Sequence, residues 1–313
     1  MSLLGNATTS LRILDDEIQI SDAHYFASGG FANIWRGTTL TDTNGNVKIR
    51  LRREFIIWSD LSHENILPIY GTFTHEPIGG TGVVLPFRPL GTISTFLETY
   101  PTADKLALIY EIAEGIRYLH SKDIVHGDLT VGNILIHQKG TEHNPQYIPQ
   151  LTDFGRSRII DKKGFTTNIF TAYSRRDYTL SRSFPPEVLH ADNPQIKLLT
   201  KESDVYTFAM VALEIVTGKQ PFYKRTDSQA VFLVMSGTTL SKNDYAGPEA
   251  PQLTERFWNL FLMKCWSTSP EGRPSIEKKY FTIPMPDSHA ALAISLDTGR
   301  WLALENRRRT YTI

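Results

Sequence analysis

Apolar residues recur along this chain with two periods, and the two periods divide it. Between Thr102 and Leu119 the positions Leu106, Leu108, Ile109, Ile112, Ala113, Ile116, Tyr118 and Leu119 fall at helical spacing and predict a core helix. A second apolar stretch opens at Ser203 and runs through Ile215-Val216. Gly218 and then Pro221 end it, glycine just past the last turn and proline beyond. A shorter helix is expected from Phe55, Ile56, Trp58 and Leu61. Ahead of Pro86 the pattern is that of strands. Leu67–Phe73 and Thr81–Pro86 read as two strands joined at Gly79-Gly80, and Val83-Val84-Leu85 is a buried run. Gly29-Gly30 reads as a hairpin turn, and Asn44-Gly45 as another. The alternation around Leu11, Ile13, Ile18 and Ile20 fits a helix turn or an edge strand. Ile134-Leu135-Ile136 is a short buried strand, followed by a polar excursion with a turn at Asn144-Pro145.

Composition narrows the classes. With 313 residues, 41% of them hydrophobic and 11% aromatic, the chain is long and apolar enough for a large core. That length suits one two-lobed domain or two small ones. Thirty-three basic residues balance thirty-three acidic ones, so no nucleic-acid partner is expected. Cys265 is the lone cysteine, which rules out an internal disulfide and argues against a cysteine zinc cluster. A reducing compartment, cytoplasmic or nuclear, is expected. No membrane span is expected, since no apolar run approaches the required length. The first ten residues lack the pattern of a signal peptide. His137 and His143 read as solvated loop histidines rather than metal ligands.

The chemistry concentrates in residues 126–155. His126-Gly127-Asp128-Leu129-Thr130-Val131-Gly132-Asn133 precedes the short strand, and Leu151-Thr152-Asp153-Phe154-Gly155 follows the excursion. Phosphoryl transfer uses these residue types: a carboxylate to orient or accept the proton of the attacking hydroxyl, and a carboxylate with an amide oxygen to hold magnesium. An Asp, an Asn five residues on, a buried strand and then Asp-Phe-Gly resemble the catalytic and metal loops of eukaryotic protein kinases. Independent stretches extend the resemblance over roughly residues 25–276. They are Glu111–His120, Pro185-Pro186-Glu187, Ser203–Ala209, and Cys265-Trp266 with Arg273-Pro274-Ser275. The last of these is similar to tyrosine kinases and the tyrosine-kinase-like group.

This resemblance implies an α+β, two-lobed protein-kinase-like fold, with a small, mainly antiparallel β lobe and a large, mainly α-helical lobe. It divides the chain into a leader at 1–21, a kinase-like domain at 22–280 and a C-terminal tail at 281–313. The small lobe takes 22–86, the hinge 86–90 and the large lobe 91–280. The implied cofactors are ATP and Mg2+, and the implied partner is a protein substrate. Asp128 takes the place of the catalytic base, and Asn133 and Asp153 take the metal places. Gly29 and Gly30 take the phosphate loop, Ile34 caps the adenine and Leu85 stands at the gatekeeper place. Pro86 and Arg88 offer hinge backbone groups, and Leu135 belongs to the same nucleotide site. Asp204 is expected to fix the catalytic-loop backbone, and Glu187 to pair with Arg273. His126 and Phe154 have apolar stacking duties. Thr166, Thr171, Tyr173, Ser174, Tyr178 and Ser181 are hydroxyls of the expected activation segment.

Several places depart from the family. Ala27 and Ala32 stand where the phosphate loop has its outer glycines. Gly127 replaces an arginine that pairs with an activating phosphate in many kinases, so activation-segment phosphorylation should matter less here. Thr130 replaces a lysine that stabilises the transferring phosphoryl group. Arg50 takes the place of the strand lysine but stands only four residues before Glu54, which takes the place of the helix glutamate. Four residues reach at most about 14 Å extended, too little for a turn and two helical turns. Either the strand is lost or the helix is truncated, and Lys48 then reads as a solvated lysine. After Ser275 the family's final helix is not legible, and Pro284 and Pro286 forbid one continuous helix. The leading expectation is an ATP- and Mg-dependent protein kinase acting on Ser/Thr or Tyr hydroxyls. The alternative is a pseudokinase serving as a binding scaffold. A third, a kinase of small molecules on a related fold, fits the Pro-Pro-Glu to Arg273 pairing poorly.

Overall fold

Turn residues at short intervals keep the first part of the chain in strands. The computed structural model describes residues 13–14, 18–20, 27–29, 32–39, 46–51, 55–75, 80–141, 144–160, 182–190, 199–276, 282–283, 292–293 and 302–303. β1 (Ile18–Ile20), β2 (Ala27–Gly29), β3 (Ala32–Thr39), β4 (Asn46–Leu51), β5 (Gly71–His75) and β6 (Gly80–Pro86) form one antiparallel sheet. Its order is β1-β3-β4-β6-β5, with β2 also on β3. The N-terminal alternation therefore yields an edge strand at Ile18–Ile20, paired with Gly37–Thr39.

β4 resolves the choice left by the short spacing between Arg50 and Glu54. The strand is kept: it pairs with β3 on one side, Ile34 opposite Arg50, and with β6 on the other, Lys48 opposite Leu85. Lys48 thus lies on a central strand of the sheet. The described part of the following helix is α1 (Phe55–Ser59), with Trp58 and Ile57 as its buried anchors. Glu54 lies outside the described residues.

The strand expected from Leu67 begins at Gly71 instead. Asn65 to Leu67 are drawn to the large lobe: Leu67 N donates to Leu151 O, Leu151 N donates to Asn65 O, and Asn65 Nδ2 donates to Pro149 O. Pro68, with no N–H to give, separates that anchor from β5.

The second half is helical around one buried element. α2 (Ile93–Thr99) and α3 (Lys105–Ser121) come first, α3 capped by Asp104 on Ala107 N at 3.0 Å. β7 (Ile124–Val125) leads into the loop that carries Asp128, and β8 (Ile134–Thr141) and β9 (Asn144–Leu151) follow as a hairpin. The polar excursion is thus mostly strand: the far end of the hairpin is solvated, Gln138 to Thr141 all being exposed, so its polar residues carry no alternation and look like a loop in sequence. His137 is in β8, and His143 lies outside the described residues. β10 (Arg158–Ile159) pairs back on β7. α4 (Pro186–His190) precedes α5 (Lys201–Thr217). A capping box of Thr200 and Ser203 starts α5, and Gly218, at φ 68°, ends it. Val205, Phe208, Ala209, Leu213 and Val216 are all buried, because α5 is covered on every side. A single hydrophobic cluster runs from Trp58, Val83 and Leu85 through Ile109 and Leu135 to Phe208 and Phe261. The fold is α+β and two-lobed, as the resemblance implied. In the tail, two-residue strands at Thr282–Ile283, Leu292–Ala293 and Leu302–Ala303 form a small antiparallel sheet.

Candidate active site

The β8–β9 hairpin decides where the polar residues meet. Its register sets Ile134 opposite Leu151, so Asn133 just ahead of one strand and Asp153 just past the other lie at the same end. A backbone bond from Thr152 N to Asn133 O, 3.0 Å, ties those ends together. Asn133 then reaches back. Its Nδ2 donates to Asp128 O at 2.8 Å and to Asp128 Oδ2 at 3.3 Å. Asp128, Asn133 and Asp153 are therefore brought together.

The loop before them is held from below. Asp204, buried on α5, accepts from His126 N at 2.8 Å, Gly127 N at 2.9 Å and His120 Nε2 at 2.9 Å. That is the expected role of Asp204, with His120 as an added partner. Three bonds on one buried carboxylate offset its desolvation. Gly127 sits at φ 75°, where an L side chain is strained. A Cβ there would also lie 2.9 Å from Arg156 O and 2.6 Å from Leu199 Cδ1. In this loop a glycine suits both the backbone and the close approach of Arg156.

Arg156 is the residue that reading the sequence missed. Its Nη1 donates to Asp128 Oδ1 at 2.7 Å, and both side chains are largely shielded from solvent. Burial pushes the Asp128 carboxyl above its ordinary value. The Arg156 guanidinium pulls against that, while the charge of Asp153 adds to it. The available signal was a cation directly after Asp-Phe-Gly in a chain whose loop carries neutral Thr130.

Asp153 is held by its own turn. It adopts the left-handed conformation, φ 66°, and its Oδ1 accepts from Gly155 N at 3.2 Å. Phe154, buried, packs between His126 and Trp58, with ring centroids 5.1 Å apart in each pair and the rings tilted by 45° and 46°. His126 Nε2 also lies 3.2 Å from Thr152 O. The expected stack of His126 and Phe154 is present. Trp58, whose Nε1 donates to Leu67 O at 2.6 Å, extends it to α1.

The remaining nucleotide-site candidates lie on other elements. Leu85 and Leu135 are buried in the shared core, Leu135 opposite Gln150 and bridged to Thr92. Pro86 closes β6 opposite Val47. The Arg88 carbonyl accepts from Gly91 N at 3.0 Å, and its Nε donates to Gln150 Oε1 at 2.8 Å. Of the two hinge groups that Arg88 offers, the carbonyl is thus engaged in a turn. Gly29 pairs with Ala32, and Ile34 with Ala27 and Arg50, in the β2–β3–β4 ladder. Gly30 lies outside the described residues, as do the candidate phosphate acceptors Thr166, Thr171, Tyr173, Ser174, Tyr178 and Ser181.

Glu187 and Arg273 pair as expected. Arg273 Nη1 and Nη2 donate to the two Glu187 oxygens at 2.6 and 2.8 Å, and further bonds go to Glu202 O and Ser267 O. The Arg273 side chain is 0% exposed and that of Glu187 30%. Glu187→Ala would strand a fully buried guanidinium. It should lower stability by about 3–5 kcal/mol, read by urea unfolding. A loss below about 1 kcal/mol would mean that the pair is idle.

The hairpin, the pinned loop and the two-lobed scaffold agree with the frame that the resemblance implied. The chain matches the family model "protein tyrosine and serine/threonine kinase" over residues 26–281, and it belongs to that family. It is 29% identical to the yeast (Saccharomyces cerevisiae) serine/threonine-protein kinase STE11 over 74% of this chain and 30% of that protein. Its identity to the Arabidopsis thaliana serine/threonine-protein kinase STY46 is 26%, over 75% of this chain and 40% of that one. To the human tyrosine-protein kinase FRK it is 28%, over 80% and 48%. The chain thus spans less than half of each of these relatives. No described helix is long and apolar enough to cross a membrane.

Proposed function

We propose that this chain is an ATP- and Mg-dependent protein kinase that phosphorylates protein hydroxyls. One observation carries the reading: Asn133 is hydrogen-bonded to Asp128, and the bond from Thr152 N to Asn133 O holds Asp153 at the same end of the β8–β9 hairpin. Asp128 is the group that orients the acceptor hydroxyl and takes its proton. Asn133 spends its amide nitrogen on Asp128, so its amide oxygen is the atom that faces a ligand. With the Asp153 carboxylate it makes a hard oxygen pair, which suits Mg2+ better than a softer metal. No group of three or more His, Cys, Asp or Glu that could hold a metal occurs among the described residues. Two protein oxygens are enough for Mg2+, which completes its shell with water and phosphate. When bound, the ion supplies charge neutralisation on the triphosphate. Relatives named for serine/threonine and for tyrosine specificity match alike, so the acceptor is left as a hydroxyl.

The pseudokinase reading draws on a specific observation as well. Arg50 stands on β4 at the place of the strand lysine, only four residues before the place of the helix glutamate. A thermal-unfolding titration with ATP separates the two. An active-site reading expects a stabilising shift that grows when Mg2+ is present, since ligand binding to the native state raises its stability. A shift with no magnesium component, together with no phosphate transfer to a generic protein acceptor, favours the scaffold.

A further inference from the structure

We infer that Arg156 is the cation that meets the γ-phosphate of bound nucleotide, in the place that Thr130 leaves uncharged. The inference rests on the nucleotide-binding reading above. Its first support is position. Arg156 Nη1 is 2.7 Å from Asp128 Oδ1. A hydroxyl oxygen that attacks the γ-phosphorus must bond the Asp128 carboxylate and approach phosphorus at the same moment. Carboxylate oxygen and phosphorus are then separated by about 6 Å at most. A guanidinium already bonded to that carboxylate lies within a rotamer change of the phosphate oxygens. A planar guanidinium spreads five donors and can hold a carboxylate and a phosphate oxygen together.

The second support is how Arg156 is mounted. It closes the 3₁₀ turn Phe154–Arg156 that begins at Asp153. Ser157 N donates to Phe154 O at 3.1 Å, and Ser157 Oγ to His126 O at 2.9 Å. The turn carrying Asp153 is thereby bolted to the loop carrying Asp128. Beyond Asp128, the guanidinium lies 5.9 Å from the ring of Phe184, on the segment that leads into α4. Its head is thus directed between the candidate base and that segment.

The third support is the glycine. The carbonyl of Arg156 occupies the space that a side chain on residue 127 would need. Gly127 and Arg156 thus form one arrangement: a residue without a side chain lets the backbone of the turn that mounts Arg156 lie against the loop carrying Asp128. Thr130, in the same loop, contributes its carbonyl to Asn133 N at 3.0 Å but no charge.

Calorimetric titration of the full chain with Mg2+ and either a non-hydrolysable ATP analogue or ADP tests this without turnover. The unsubstituted chain should bind the triphosphate more tightly than ADP. Arg156→Leu should weaken the triphosphate by about ten- to a hundredfold, the size of a lost charge-assisted bond, and leave ADP within about threefold. Arg156→Lys should retain part of the preference. Adding Thr130→Lys to Arg156→Leu should restore it, which a purely structural role of Arg156 would not allow. Equal weakening of both nucleotides, no weakening, or tighter triphosphate binding after Arg156→Leu would overturn the inference. Failure of the unsubstituted chain to bind either nucleotide would instead overturn the kinase reading, and the inference with it. Urea unfolding of each variant identifies any that do not fold; Arg156→Lys and the double variant then decide the matter.

Discussion

Asp153→Asn is expected to remove the magnesium-dependent part of ATP binding while leaving the protein folded. The substitution suits the site for two reasons. Asp153 stands at φ 66°, and Asn is one of the few side chains that share this left-handed region with Asp. Its Oδ1 accepts from Gly155 N, and an amide oxygen can take over that bond. The turn Phe154–Arg156 and the stack of Phe154 on Trp58 and His126 should therefore survive. What disappears is one negative charge, and Mg2+ relies on carboxylates for most of its protein affinity. In a thermal-unfolding titration the variant should respond to ATP equally with and without Mg2+. A magnesium-dependent shift of undiminished size would remove Asp153 from the metal site. It would also undercut the case for Asn133, whose place rests on the same hairpin end.

The parts of this molecule that could be read from sequence share a property: each is fixed by local periodicity or by a short ordered phrase. α3 and α5 follow from their apolar spacing and their caps. Asp204, Glu187 and Arg273 were placed by resemblance, and their bonds agree. What escaped depends on contacts between distant residues. Arg156 meets Asp128 across 28 positions, with no local pattern to announce it. Trp58 read as an apolar helix position, and only the fold sets it on Phe154. The late start of β5 reflects competition, since Ile66 and Leu67 pair with Leu151 before the strand can begin. The spacing argument at Arg50 was sound in leaving two outcomes. The strand is kept because β4 is central and shares hydrogen bonds with a neighbour on each edge.

Asp128→Asn should cost about a hundred- to ten-thousandfold in kcat, the usual contribution of a positioned acid–base group, with nucleotide affinity changed far less. The argument starts from what the carboxylate touches. Oδ1 takes Arg156 and Oδ2 takes Asn133, so both neighbours are donors. An amide has a single oxygen and must turn its nitrogen toward one of those donors. The variant therefore loses the base and also opposes one bond. Asp128→Ala controls for that clash, because it removes the base without placing a donor against a donor. If the base is what matters, both variants should lose turnover to a similar degree and keep the magnesium-dependent thermal shift. If Asp128 instead serves mainly to hold Arg156 and Asn133 in place, nucleotide affinity should fall along with kcat. A normal turnover rate in either variant would take Asp128 out of the reaction. The environment makes that outcome unexpected. A largely buried carboxylate beside a second carboxylate is costly to keep ionised, and here a guanidinium, a neighbouring imidazole and an amide all act to keep it so.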